Sequence, residues 1–123
     1  MTRTALIFEI EELLFDTLGL RARALQQALA DEGVTATYDD VARAQTGRPT
    51  ALAIGRITAA EHLDDVGRDL VIRRAADAVA ASMARGAPSF DPRARDALAA
   101  AAAEFPLAVV TCATRDDAQH LLE

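Results

Sequence analysis

Apolar residues along this 123-residue chain follow two different periods. Ala5-Leu6-Ile7-Phe8 is a short, continuous apolar run, the pattern of a parallel strand covered on both faces. From Leu18 the spacing turns helical, with Leu18, Ala22, Leu25 and Leu29 on one side and Gly33 placed to end the helix. A second, short helix is predicted from a cap at Asp39-Asp40 to about Gly47. Thr50 is placed to cap a third, carrying Ala53, Ile54 and Ile57. Asp64-Asp65 opens a longer helix with Val66, Ile72, Ala75, Val79 and Met83 on one side and Gly86 past its end.

Gly86 to Phe90 reads as a linker. Asp91-Pro92 then starts another helix, because aspartate accepts an orphan amide and proline suits the first helical position. That helix runs through Ala99 to Ala103 and breaks before Pro106. Leu107-Ala108-Val109-Val110 is predicted as a second buried strand, ending at Thr111-Cys112. Thr114, with Asp117 three residues on, is a cap for a last helix. Strand, helical block, linker, helix, strand, helix is the order of an α/β fold.

Composition narrows the function classes. The length suits one domain of ordinary size. Twenty-nine alanines and an aromatic share of only 4% predict a helix-rich core with small side chains at many contacts. All 13 basic residues are arginine, and the net charge is −6, which argues against non-specific nucleic-acid binding. No apolar run approaches transmembrane length and no secretory apolar region precedes Glu9, so no membrane partner is expected. Cys112 is alone, so no intrachain disulfide forms, and a cytoplasmic compartment is expected.

Candidate chemistry gathers where the two strands end. LIFEIEELLFDT, Leu6 to Thr17, runs from an apolar strand straight into Glu9, Glu11 and Glu12. Ligands of open α/β sheets bind beyond the carboxyl ends of strands. The second strand ends in the hydroxyl of Thr111 followed by a helix start, a cradle for a phosphate oxygen. Carboxylates at one strand end and an anion cradle at the next make sense together if a divalent cation bridges them. His62 and His120 share no metal-ligand spacing with each other or with Cys112, which reads as a small buried thiol.

Glu9 to Thr17 resembles the first motif of the haloacid dehalogenase superfamily, Asp-x-Asp-Gly-(Thr/Val)-Leu-x-Asp-(Thr/Ser), with Leu14 and Asp16-Thr17 matching. Leu107 to Arg115, LAVVTCATR, resembles its second motif. The helices between resemble the cap of the phosphoglycolate phosphatase and β-phosphoglucomutase branch, and Thr46-Gly47-Arg48-Pro49 resembles the cap loop that faces substrate. The resemblance implies a Rossmann-like core over 1–17 and 87–123 and an α-helical cap over 18–86. It also implies Mg²⁺ and a small phosphorylated metabolite as substrate. Glu9 then holds the nucleophile position and Glu11 the acid/base position, both also ligating the metal. Thr111 and Cys112 hold the phosphate position, and Arg48 is the cap's substrate residue.

The departures from the motif set a second expectation. Both aspartates are glutamates, the following glycine is Glu12, and no lysine exists to act in a third motif. An added methylene shifts a carboxylate by roughly 1 Å, enough to cost on the order of 10²-fold in rate. The expected function is a hydrolase relative that is catalytically impaired or inactive. The alternatives are a non-catalytic binding or assembly protein, or a fragment of an interrupted gene. A core ending at Glu123 has open strand edges, which predicts a homodimer that completes it.

Overall fold

Leu6–Glu9 and Leu107–Val110 form two parallel strands, β1 and β2, in the computed structural model, which describes residues 3–9, 15–86 and 91–122. Their register pairs Leu6 with Leu107 and Glu9 with Val110. Between them run α1 (Thr17–Asp31), α2 (Tyr38–Gln45), α3 (Thr50–Ile54), a 3₁₀ turn at Thr58–Ala60, α4 (Asp65–Ala84) and α5 (Pro92–Glu104); α6 (Arg115–Leu122) follows β2. The fold is α/β, mostly helical, with the two parallel strands in one sheet among the described residues. Two compact units result: Met1–Asp16 with Pro88–Glu123, and Thr17–Ala87.

Helix ends follow from local chemistry. α1 stops in a double turn in which Gly33 N–H donates to Ala30 O (2.9 Å) and Val34 N–H to Leu29 O (2.9 Å). Gly33 sits at φ 77°, where a side chain would be strained. Val34, buried, then packs with Leu29, so one turn both ends the helix and returns the chain to the core. The Asp64 carboxylate caps α4 by accepting from Gly67 N–H at 2.7 Å, and Asp91 caps α5 through Arg93 N–H at 2.9 Å.

Two caps differ from expectation. Thr37, not the Asp39-Asp40 pair, caps α2, its hydroxyl oxygen accepting from Asp40 N–H at 3.1 Å. The aspartates fall in the first turn instead, where their charge favours the helix N-terminus. At α3 the cap is Pro49, and Thr50 lies inside the helix.

The core of the Thr17–Ala87 unit is aliphatic. Ala22, Leu25, Ala28 and Leu29 of α1 meet Val41 of α2, Ile54 of α3 and Val71 and Ala75 of α4. α1 packs most extensively on α4, and alanines at Ala22, Ala28 and Ala75 let the helices approach. Val66, expected on the buried side of α4, is 76% exposed. The buried row is Val71, Ala75, Val79 and Met83, spaced by four, and Val66 falls on the opposite side at 3.6 residues per turn. Arg74 pairs with Glu32 at 2.6 Å, tying α4 to the end of α1.

In the other unit, Phe15 is buried against Ala94 and Leu98 of α5 and Ala118 and Leu121 of α6. The expectation of strands covered on both faces is corrected here. β1 alternates, with Leu6 and Phe8 half-buried and Ile7 71% exposed, and all four residues of β2 are exposed. A run of apolar residues signals strand conformation, but burial depends on what packs over it, and the described residues supply little cover.

Candidate functional site

The parallel register decides what meets at the strand ends. Glu9 lies opposite Val110, so the residue after it on β2's side, Thr111, begins the turn beside the Glu9 end of β1. Alternation along β1 puts Glu9 on the exposed side, with its carboxylate free to solvent. Thr111 is half-buried. Its hydroxyl oxygen accepts from Ala113 N–H at 3.0 Å, which folds the turn and leaves the hydroxyl proton to donate elsewhere. Cys112, expected to be buried, is a half-buried free thiol in the same turn.

α6 starts immediately afterwards. Thr114 caps it as expected, its hydroxyl oxygen accepting from Asp117 N–H at 3.1 Å and its carbonyl from Ala118 N–H at 2.9 Å. Asp116 and Asp117 occupy the first turn, where they complement the helix dipole. β1 and β2 thus bring together a carboxylate, a hydroxyl and a helix start, a set able to move a proton and hydrogen-bond an oxyanion. Glu11, Glu12 and Leu14 lie outside the described residues. Among the described residues no three His, Cys, Asp or Glu side chains converge to hold a metal. Of the two carboxylates expected to ligate Mg²⁺, Glu9 is described and Glu11 is not.

Arg48 belongs to the Thr17–Ala87 unit and is held there by its own backbone and side chain. Gly47, at φ 65°, turns the chain after α2. The Arg48 carbonyl accepts from Arg21 Nη2 at 3.0 Å, while Arg48 Nη1 donates to Ala44 O at 3.2 Å. Gln45 Nε2 donates to Thr50 Oγ1 at 3.2 Å, stapling α2 to α3 across the same turn. Arg48 is therefore half-buried and fixed, not a loose surface arginine.

Arg21 and Gln45, both buried, hold this turn, and neither was among the residues singled out from the sequence. The signal was periodic. Thr17, Arg21, Leu25 and Ala28 fall on one side of α1, and Gln45 follows the buried Val41 by one turn. Gln45 Oε1 and Thr17 Oγ1 are buried without a hydrogen-bond partner among the described residues.

This chain is similar in structure to a hydrolase from Pseudomonas syringae, with a TM-score of 0.80 over 98% of this chain and 19% sequence identity. The likeness bears out the α/β fold. The chain spans about half of that hydrolase, 54% of its length. No protein-family model and no curated protein matches the sequence.

Proposed function

We propose that this chain is a relative of haloacid dehalogenase-type phosphoester hydrolases whose strand-end site turns over small phosphorylated metabolites poorly. The register Glu9 to Val110 carries the reading, because it sets Glu9 and Thr111 side by side at the carboxyl ends of parallel strands. Glu9 takes the nucleophile position and Glu11 the acid/base position. Thr111 donates its free hydroxyl proton to a phosphoryl oxygen, with Cys112 beside it. Arg48 serves as the substrate residue of the helical unit. Mg²⁺, when bound, would offset phosphate charge.

Reach is what limits this site. A glutamate sets its carboxylate roughly 1 Å farther from the backbone than an aspartate, and in-line attack tolerates such errors badly. These 123 residues carry arginine but no lysine, so the cations that this stretch offers a transferring group are guanidinium groups. In this reading the chain works in the cytoplasm, the compartment that its single free cysteine suits. Among the described residues no helix is long and apolar enough to cross a membrane.

Exposure of the sheet supports a second reading, in which the chain acts through assembly. Ile7, Val109 and Val110 present apolar surface that a second copy of the chain would cover. Two measurements separate the readings. The first is Mg²⁺-dependent hydrolysis of an aryl phosphate by the chain and by Glu9→Ala; slow turnover lost in the variant supports the enzyme, and turnover unchanged in it rules Glu9 out. The second is mass by light scattering; a monomer at all concentrations excludes the homodimer.

A further inference from the structure

Outside the strand ends, the helical unit holds an open groove of about 550 Å³ between the α1–α2 connection, α2 and the turn after α3. Three arginines line it: Arg43, Arg48 and Arg56. Asp40 is the carboxylate that lines it with them, 3.7 Å from Arg43. Among the described lining residues the guanidinium groups thus outnumber carboxylates by two, on a chain whose net charge is −6. Arg43 and Arg56 are both exposed, and Arg56 makes no hydrogen bond or ion pair with the described residues.

We propose that this groove binds a small organic molecule carrying two or more negative charges, a phosphoester or a polycarboxylate. Guanidinium groups donate paired N–H bonds that match planar and tetrahedral oxyanions. Among the described residues the Arg56 side chain has no partner, and Arg43 is exposed and held only by the 3.7 Å pair with Asp40. Thr35, Thr37 and Thr58 add hydroxyls along the walls. The Thr37 oxygen already accepts from Asp40 N–H, so its proton is left to donate into the groove. The volume falls within the roughly 300–1,000 Å³ of small-molecule sites. Ile57 and alanines form the apolar part of the described lining, with no aromatic ring among those residues, which suits a small aliphatic ligand body better than a stacked base. The proposal does not rest on the strand-end chemistry: every described lining residue belongs to the Thr17–Ala87 unit.

The test is calorimetric titration of the full chain, in Mg²⁺-free buffer of low ionic strength, with pyrophosphate and with citrate. Saturable binding of pyrophosphate alone assigns a phosphoester, of citrate alone a polycarboxylate, and of both a site for either. The double variant Arg43→Gln/Arg56→Gln weakens binding at least about ten-fold, the Arg43→Lys/Arg56→Lys variant recovers part of it, and Arg73→Gln leaves it unchanged. Both groove positions are exposed, so melting of the variants stays near that of the native chain. Binding of neither anion, or binding undiminished in the glutamine double variant, overturns the proposal.

Discussion

The two units of this molecule share one sequence style and differ in how they use it. Thr17–Ala87 contributes nearly every buried hydrophobic among the described residues, whereas Phe15 is the buried hydrophobic of the other unit. Charge divides them as well. Thr17–Ala87 carries nine arginines against nine acidic residues, and the strand-bearing unit four against ten. Packing and charge balance therefore reside in the helices, and the acidic strand ends hold the candidate chemistry with little apolar cover. The lesson is that strand ends can hold the candidate chemistry while most of the apolar burial among the described residues lies elsewhere in the chain.

The largest effect that could break this contrast is in the helical core. Leu25→Ala empties a fully buried site and is expected to cost about 2–5 kcal/mol, whereas Val109→Thr on exposed β2 stays within about 0.5 kcal/mol. Urea unfolding of the two variants measures both, and equal losses would erase the distinction. Next comes catalysis. Glu9→Asp/Glu11→Asp shortens both carboxylates and is expected to raise aryl phosphate turnover on the order of 10²-fold. A revertant no faster than the native chain would show that reach is not what limits the site.

A smaller effect is expected at Gly33, where nothing lies within 4 Å of an added Cβ but φ is 77°. Gly33→Ala should cost about 1 kcal/mol from backbone strain alone, read from the shift in unfolding midpoint. The smallest is electrostatic. Hydrogen bonds from the Arg93 side chain and backbone hold the Asp91 carboxyl below the usual carboxylate range. A depressed pKa means that its contribution is present above the ordinary carboxylate value and fades as pH falls through the lowered one. Asp91→Asn is therefore expected to flatten a slight acid-side loss of stability in the strand-bearing unit, seen as a smaller melting shift between neutral and acidic pH. An unchanged acid response would remove Asp91 from the account.

Much of the fold was legible because it depends on local chemistry. Asp64, Asp91 and Thr114 act as caps, Gly33 ends its helix, and β2 spans the residues expected of it, because each choice is settled within a few residues. Burial was less legible, since it depends on partners. Val66 belongs to a helix whose buried side is fixed by α1, and β2 is apolar yet exposed. At the candidate site, residue types and order pointed to the strand ends, and the register joins Glu9 to the Thr111 turn. Arg21 and Gln45 are polar residues at helical spacing from buried neighbours, and their burial is set by tertiary packing around the turn they hold. The arginine groove was hidden for a different reason: Arg43, Arg48 and Arg56 are separated by turns whose direction only tertiary packing sets.

Native-state hydrogen exchange tests the division of labour most directly. Amides of Leu25, Leu29, Val71 and Ala75 are expected to exchange at least about 100-fold more slowly than those of the hydrogen-bonded residues of β1 and β2, because local opening follows apolar cover. Equal protection in the two units would contradict the account, placing the candidate chemistry on a scaffold as firmly held as the helices.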